Sequence, residues 1–431
     1  MSKDTSSQRR AFLFLQGPHG PFFSQLAAQL GRAGHAVWRA GFNAGDQIFW
    51  REKSTYIPYR GAVTEWPAAL REIIDQHHIT DLVLYGDARP VHAQAIKLGK
   101  TLGLRVHVFE EGYLRPYWIT YERDGSNGNS ALMDLSLDQM RSLQKTERFE
   151  PPMPPSHWGD MRQHVFYGAL YHWFVLFWNR GYPQFAPHRQ LNVRQEFALY
   201  INRLLLMPWH ALQRALATFR VRRGSFPYHL ALLQLEHDSS FQMHSPYETQ
   251  REFVRDVIEG FAQGAPRHHH LVFKAHPLED GRAPLQSEIR ENAAQRGISK
   301  RVHFVRGGKL AGLLRDVVST VTVNSTAGQQ ALWRGIPLRA FGKTVYGKPE
   351  LVSEQSMAAF FANPDRFDQK DYVHFRDFLL STSQLPGSYY AAKGRRQVLR
   401  RVTDMLLDEH GPYLSIRPAS EADRQQLRLV T

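Results

Sequence analysis

Two stretches of the chain alternate short apolar strands with amphipathic helices, and this alternation constrains the fold more than any other feature. In the first third, apolar segments such as "AFLFL", "HAVWRA" and "DLVLYG" are separated by helical patterns such as "PAALREIIDQHH". The same rhythm returns from Tyr228 onward with "YHLALLQLEHD", "HHHLVFKAHP" and "STVTVNSTAG". Regular strand–helix alternation predicts an α/β protein with two parallel, doubly wound sheets.

A segment of different composition separates the two stretches. It starts with the Pro-rich "PPMPPSHWGD" and continues as a helical block, in which Pro208 should kink the second helix. We predict a GT-B-like architecture, with two Rossmann-like domains facing a crevice, an inserted helical block and a C-terminal helical tail. The predicted parts are residues 1–150 (N-terminal Rossmann-like acceptor domain), 151–224 (basic, aromatic helical block), 225–367 (C-terminal Rossmann-like domain) and 368–431 (helical tail).

Composition excludes several classes of protein. With 431 residues the chain is longer than a protein with a single hydrophobic core usually is, and its 42% of hydrophobic residues is typical of a globular protein. It has no cysteine, so it has no disulfide framework and no thiolate chemistry, which fits a reducing compartment. The N-terminus lacks the apolar core of a secretory signal, and no uncharged apolar run approaches the ~20 residues of a membrane span. We therefore expect a cytoplasmic protein, soluble or peripheral at a membrane.

The positive charge is concentrated in the helical block. The net charge is +14, which favours polyanions such as nucleic acid, anionic lipid or a phosphorylated substrate. Between Met161 and Arg223 the only acidic residue is Glu196. Aromatic residues with arginine and almost no acid favour an interfacial segment on anionic lipid. Two alternatives remain, namely nucleic-acid binding, for which no recognised motif is present, and aromatic side chains packed in a core beneath a solvated arginine face. The residues predicted to contact membrane are Arg220, Arg222, Arg223, Trp173 and Trp178.

Polar residues follow three strands of the second alternating stretch. "LQLEHDSS" ends in Asp238, whose carboxylate suits a nucleophile or base, although Asp-Ser-Ser is also ordinary turn chemistry. "KAHP" places Lys274 and His276 at a strand end, where both suit a phosphate leaving group, the alternative being a surface histidine. "VNSTAGQQALWRG" leads into a helix start, which forms either an anion site or a simple cap. Its candidate ligands are Asn324, Ser325, Thr326 and Gly328.

The first stretch contributes two further candidates. "FEEGYLRPYWIT" ends a strand with Glu110 and Glu111, and because adjacent strand residues point to opposite faces, at most one should face the crevice. "QGPHGPF" follows the first strand but lacks the spacing of a dinucleotide-binding loop. The run of histidines at 268–270 lies apart from any acidic pair, so we predict no metal site. The predicted acceptor or crevice loop residues are Gln16, Gly17, His19 and Gly20.

The motifs "QGPHGPFF", "EEGYLRP", "QLEHD", "KAHP" and "VNSTAGQQALWRGIPL" together resemble the capsule polysaccharide biosynthesis and export family over nearly the whole chain. This resemblance implies a cytoplasmic β-Kdo transferase, peripheral at the inner face of the cytoplasmic membrane. It implies CMP-Kdo as donor and a lyso-phosphatidylglycerol lipid as acceptor, starting the oligo-Kdo linker of group 2 capsular polysaccharide. The acidic pair and the His-Pro also look like the motif pair of bacterial CMP-sialic-acid transferases.

The resemblance also implies residue roles. Gln234 and Asp238 match the Q-x-x-x-D position of the nucleophile, and His276 matches the group that contacts the CMP phosphate. Ser325 and Thr326 match the nucleotide phosphate loop. The acidic pair "EE" matches the acid/base region, without deciding which glutamate acts.

The implied mechanism is double displacement with no required cofactor. The implied partners are anionic inner-membrane lipid, the lipid acceptor and other capsule biosynthesis and export proteins, but not nucleic acid. Two alternatives stay open, a non-enzymatic capsule export adaptor that binds the glycolipid and a transferase for another CMP-activated keto-sugar acid.

Overall fold

The computed structural model describes residues 9–115, 118–144, 161–185, 193–276, 279, 283–306 and 309–413, with only the backbone described at 161, 193–205 and 207. The chain forms two compact units. Unit 1 comprises Met1–Asp134, Asp138–His188 and Asp377–Thr431, and unit 2 comprises Leu135–Leu137 and Arg189–Arg376. These units differ from the four predicted parts, because the helical block divides between them and most of the C-terminal tail packs in unit 1.

The strands are short and mostly buried. In chain order they are β1 (Ala11–Phe14), β2 (Ala36–Gly41), β3 (Tyr56–Pro58), β4 (Asp81–Tyr85), β5 (Arg105–Glu111), β6 (Trp118–Arg123), β7 (Tyr228–Leu232), β8 (His270–Lys274), β9 (Val302–Val305), β10 (Val317–Thr322), β11 (Leu338–Ala340) and β12 (Gln384–Pro386).

The helices range from 5 to 31 residues. In chain order they are α1 (Phe22–Arg32), α2 (Ala44–Ile48), α3 (Trp66–His77), α4 (Pro90–Thr101), α5 (Leu137–Gln144), α6 (Met161–Phe177), α7 (Val193–Arg223), α8 (Ser239–His244), α9 (Gln250–Gly264), α10 (Leu285–Gln295), α11 (Gly328–Leu332), α12 (Met357–Ala362), α13 (Gln369–Ser381) and α14 (Ala392–Leu407).

Unit 1 is built on a sheet of order β12-β6-β5-β4-β1-β2-β3. Strands β1 to β5 are parallel, and β6 and β12 extend the sheet with antiparallel pairing. Because successive side chains of a strand point to opposite faces, β1 supplies Phe12 and Phe14 to one core and Leu13 to the other. Helices α1 and α14 cover the first face, and α3 and α4 cover the second. The sheet is therefore doubly wound.

Unit 2 is built on a fully parallel sheet of order β11-β10-β7-β8-β9. Helices α9, α10 and α12 supply apolar side chains to one face, and the end of α7 packs Val221 on the other. The predicted α/β class with two parallel-sheet, Rossmann-like units is confirmed. The sheet order places β7 between β8 and β10, which brings three predicted polar strand ends side by side.

One local feature differs from expectation. The antiparallel strands β6 and β12 were not predicted, because β12 has only three residues and pairs with a strand more than 250 positions away. Helix α7 continues on both sides of Pro208, and the kink expected at this residue stays a prediction. Within the described residues, no helix combines the length and apolar character needed to cross a membrane.

Candidate functional site

Both units share the strand order 3-2-1-4-5, counting each unit's own parallel strands. In such sheets ligands bind outside the carboxyl ends of the strands, at the point where the strand order reverses. That point lies between β1 and β4 in unit 1 and between β7 and β10 in unit 2. The predicted site residues follow these strands or their neighbours.

At the reversal point of unit 2, Gln234 and Asn324 form a reciprocal pair. The Gln234 side-chain amide donates to Asn324 Oδ1 at 2.7 Å, and the Asn324 backbone N–H donates to Gln234 Oε1 at 2.9 Å. Asn324 Nδ2 also donates to the Ser240 carbonyl at 2.7 Å. Both amides are buried and hydrogen-bonded, so they fix the spacing of the β7 and β10 ends. Gln234 and Asn324 therefore act in this structure as residues that hold the two strand ends in position.

Lys274 is the last residue of β8 and is only 6% exposed. Its Nζ has one weak hydrogen bond, to the Ala275 carbonyl at 3.4 Å, and no ion pair to any carboxylate in the described part of the chain. Burial lowers the pKa of the Lys274 amine to about 8, because the charged form loses its hydration. A buried cation of this kind is costly without an anionic partner. An anionic ligand at the carboxyl end of β8 would supply that partner.

His276 follows directly after the strand. Its neighbour Ala275 still bonds β9 through the Val305 carbonyl at 2.9 Å, and the His276 carbonyl accepts from the Glu279 N–H at 3.0 Å. The imidazole is half-buried. Pro277, the last residue of "KAHP", lies outside the described residues. The structure thus places His276 at the same sheet end as Lys274.

The loop after β10 carries the predicted phosphate ligands. Ser325 and Thr326 are half-buried, and Ser325 Oγ accepts from the Ala327 N–H at 3.2 Å. Tyr346 donates its hydroxyl to the Ser325 carbonyl at 2.5 Å. A Cβ at Gly328 would lie 2.7 Å from the Tyr346 hydroxyl oxygen, so a larger residue would displace the tyrosine. The helix that follows has only five residues, which is shorter than expected.

Asp238 lies after β7 and is exposed. Its Oδ1 accepts from the Ser240 N–H at 3.5 Å, and it is the N-cap of α8. These are the contacts expected of a turn-capping residue. Exposure also leaves the carboxylate accessible to a substrate.

In unit 1, Glu110 and Glu111 end β5 with different surroundings. Glu110 Oε1 accepts from the Glu111 N–H at 2.9 Å, and its backbone carbonyl accepts from the Tyr389 hydroxyl at 2.7 Å. Burial raises the pKa of Glu110 to about 7. Glu111 Oε1 instead accepts from the Tyr85 hydroxyl at 3.1 Å. A carboxyl group with a pKa near 7 is suited to proton transfer, which favours Glu110 as acid/base.

Gln16 occupies the reversal point of unit 1. Its side-chain amide donates to Asp46 Oδ2 at 3.1 Å, and Arg89 donates to its Oε1 at 3.4 Å. Asp46 is also held by Arg39 at 3.1 Å, with both side chains buried. Gln16 thus joins a polar network between β1, α2 and the start of α4. Arg89 brings a cation to this end of the sheet.

The rest of the predicted crevice loop is explained largely by packing. A Cβ at Gly17 would lie 2.5 Å from the Phe23 ring. Gly20 has a φ of +110°, which glycine adopts without strain, and it lies against Tyr167 of α6. His19 stacks on Tyr171 of α6 with ring centroids 4.3 Å apart. The loop therefore anchors α6 to unit 1.

Several site residues were missed from the sequence. Tyr85 is the last residue of β4 and Arg89 precedes α4, and the polar segment "YGDARP" that contains both was a signal that the strand-end reasoning left unused. Tyr389 and Tyr390 come from a segment 279 residues beyond the acidic pair, so no local pattern connects them. In the described ranges, no group of three or more histidine or acidic side chains is arranged to hold a metal ion.

The helical block exposes large apolar side chains. In unit 1, Trp173 is 54% and Trp178 is 67% exposed, so packing in a core does not account for them. In unit 2, the end of α7 exposes its three arginines, at 220, 222 and 223. Further exposed apolar residues of α7 are Leu206, Trp209, Leu212, Leu216 and Phe219.

A family model described as capsule polysaccharide biosynthesis protein matches residues 80–390. The chain is 30% identical over 386 residues to the capsule polysaccharide export protein KpsS of Escherichia coli, covering 88% of this chain and 97% of that protein. It is also 30% identical over 386 residues to the capsule polysaccharide modification protein LipB of Neisseria meningitidis serogroup A, covering 88% and 91%.

Similar solved structures include Thermosulfurimonas dismutans KpsC, a β-Kdo 2,7 transferase, with a TM-score of 0.45 and 11% identity over 92% of this chain and 100% of that one. A UDP-GlcNAc 2-epimerase from Neisseria meningitidis gives a TM-score of 0.31 and 11% identity over 93% and 100%. The family model spans most of the chain and the sequence relatives align over nearly their full length. The chain therefore belongs to the capsule polysaccharide biosynthesis protein family.

Proposed function

We propose that the chain is a retaining glycosyltransferase that moves β-Kdo from CMP-Kdo to a lyso-phosphatidylglycerol lipid, initiating the oligo-Kdo linker of group 2 capsular polysaccharide. Membership of the capsule polysaccharide biosynthesis family supports a role in making or modifying the polysaccharide. The two Rossmann-like units and the polar residues at their strand ends are consistent with an activated-sugar transferase.

The observation that carries the proposal is the buried Lys274. Its amine lies at the carboxyl end of β8, beside the strand whose end holds the Gln234–Asn324 pair. Since no described carboxylate neutralises it, an incoming phosphate is the natural partner for its charge. The phosphodiester of CMP-Kdo is negatively charged and can be this partner. When the bond to Kdo breaks, Lys274 and His276 would stabilise the phosphate as it becomes a dianion.

The proposed reaction has two displacements. The Asp238 carboxylate attacks the anomeric carbon of Kdo, and the bond to the CMP phosphate oxygen breaks with its electron pair remaining on CMP. In the second step Glu110 takes the proton of the acceptor hydroxyl, whose oxygen attacks the same carbon and releases Asp238. Two inversions return the original configuration, so the donor's β-linkage is retained.

The acceptor places the enzyme at the inner face of the cytoplasmic membrane. The exposed arginines at the end of α7 would attract anionic headgroups, and their contribution should fall with salt because such charges are screened beyond about 8–10 Å. Replacing Arg220, Arg222 and Arg223 with Gln should weaken binding to anionic vesicles while sparing transfer to a short soluble acceptor. Equal flotation of the variant and the wild type on such vesicles would exclude this role.

The transferase proposal is tested by incubating the purified protein with CMP-Kdo and fluorescent lyso-phosphatidylglycerol, followed by mass spectrometry. The proposal predicts one new lipid product carrying Kdo. CMP-sialic acid in a parallel reaction tests the alternative donor. A protein that binds the lipid but leaves both donors intact would instead be an export adaptor.

A further inference from the structure

Helix α6 presents an apolar stripe to the outside of unit 1. Phe166 and Phe177 are each 60% exposed, and Trp173 between them is 54% exposed. Their spacing of seven and four residues places them on one side of the helix, together with the exposed Val165 and Ala169. A helix on the surface of a soluble protein normally turns charged or polar residues outward. Here the outward face is apolar from Val165 to Phe177, which is between three and four turns.

The opposite side of α6 already packs on unit 1. Tyr171 accepts a hydrogen bond from Asn43 Nδ2 at 2.8 Å and stacks on His19. Just past the helix, Asn179 Oδ1 accepts from the Ala44 N–H at 2.9 Å. The helix is thus held in place along its length. More than half of each stripe side chain stays exposed, so packing within unit 1 does not account for the stripe.

The charges near the stripe match an anionic surface. Helix α6 contains no acidic residue, and exposed Arg162 and Arg180 lie at its first turn and just past its end. The start of α14 is tied to α6 by a hydrogen bond from the Ala392 N–H to Gln163 Oε1 at 3.0 Å. That start of α14 adds two further exposed cations, at positions 393 and 396. Helices that lie in a membrane interface typically combine tryptophan and phenylalanine on one face with lysine and arginine beside it.

The side of helix α6 away from the stripe is connected to the acidic pair of unit 1. His164, in the first turn of α6, stacks on Tyr390 with ring centroids 4.0 Å apart and an interplanar angle of 1°. The neighbouring Tyr389 donates its hydroxyl to the Glu110 carbonyl at 2.7 Å. Two side-chain contacts therefore connect α6 to the end of β5. Helix α6 therefore belongs to the same packed unit as the proposed acid/base.

We propose that α6 docks unit 1 on an anionic lipid bilayer by inserting Phe166, Trp173 and Phe177 into the interface, which holds unit 1, and with it the Glu110 end of the sheet, at the membrane. The docking follows from the exposed stripe and its charges. Its link to catalysis rests on the proposed function, because only a lipid acceptor needs that end of unit 1 near headgroups. Of the two units, unit 1 would then be the one that meets the lipid acceptor at the membrane.

The test is flotation of the full-length protein with vesicles of equal parts phosphatidylglycerol and phosphatidylcholine. Trp173→Ser with Phe177→Ser should weaken binding by roughly tenfold per aromatic side chain removed from the interface. Trp333→Ser is the matched control, because Trp333 is 45% exposed and lies in unit 2. Its binding should equal that of the wild type.

Unchanged flotation of the double variant would overturn the proposal. So would a wild-type dimer in light scattering that the double variant loses, because a second copy would then cover the stripe. The assay contains no CMP-Kdo, so it separates the two proposals. Docking without transfer would refute only the transferase, and transfer to a soluble acceptor without docking would refute only the role of α6.

Discussion

Replacing Lys274 with Met should stabilise the protein and at the same time weaken its reaction with CMP-Kdo. Burial lowers the pKa of this amine from 10.5 to about 8. Because the pKa is lower in the folded state, Lys274 does not destabilise the protein above pH 10.5, where the amine is neutral in both states. As the pH falls, protonation costs the folded state stability, and this loss is complete once the pH is below 8. At about 1.4 kcal/mol per pKa unit, the charged amine costs the folded state about 3 kcal/mol at pH 7. Lys274→Met removes this cost.

The midpoint of thermal unfolding measures that change. For a unit of this size, a gain of about 3 kcal/mol raises the midpoint by roughly 6–12 °C at pH 7, and the gain should shrink to about 1 kcal/mol at pH 9.5. The same variant should lose about 100- to 1000-fold in kcat/KM for CMP-Kdo, the scale of one removed charge-stabilising donor. Lys300→Met, at an exposed lysine of unit 2, is the matched control and should change neither quantity. A less stable Lys274→Met protein with normal kcat/KM would refute the reasoning, because the lysine would then be structural.

Three other outcomes are expected. Asp238→Ala should abolish transfer while the protein still folds, since the lost cap of α8 costs only about 1 kcal/mol, and turnover by the folded variant would exclude the covalent mechanism. The value of kcat/KM should rise between pH 6 and 8, because a base with a pKa of about 7 loses its proton over this range and can then accept the proton of the acceptor. Glu110→Gln should remove that rise and Glu111→Gln should keep it, and the reverse result would assign the base to Glu111. The thermal midpoint should fall as pH drops from 6.5 towards 4, because burial lowers the pKa of His229 to about 3 and of His303 to about 4, so the folded state resists their protonation. His303→Phe should reduce that drop, and an equal drop would show that other groups control acid stability.

The sequence was sufficient to predict the α/β class and which strand ends carry polar residues. Both follow from local patterns, namely strand–helix alternation and the residues at which a buried strand stops. The pairing of Gln234 with Asn324 was beyond local reasoning, because it depends on β10 lying beside β7 rather than beside β9. The unusual burial of Lys274 was likewise invisible, since a lysine at a strand end is normally solvated.

Tertiary packing decided the features that the sequence left open. Apolar and aromatic residues are spread around helix α6, and no periodicity separates the side that packs on Asn43 and His19 from the exposed side with Trp173. The different surroundings of the two glutamates also depend on the fold. Tyr389, which bonds the backbone of Glu110, arrives from the C-terminal segment that was expected to form a separate tail.

Nuclear magnetic resonance of the product formed from CMP-Kdo and lyso-phosphatidylglycerol tests the central claim most directly. It reports in one spectrum whether Kdo has been transferred, to which lipid, and with which anomeric configuration. The account predicts Kdo joined to the lipid in the β-configuration of the donor, with one CMP released for each Kdo transferred. An α-linked product, or CMP release without a Kdo-lipid, would contradict it.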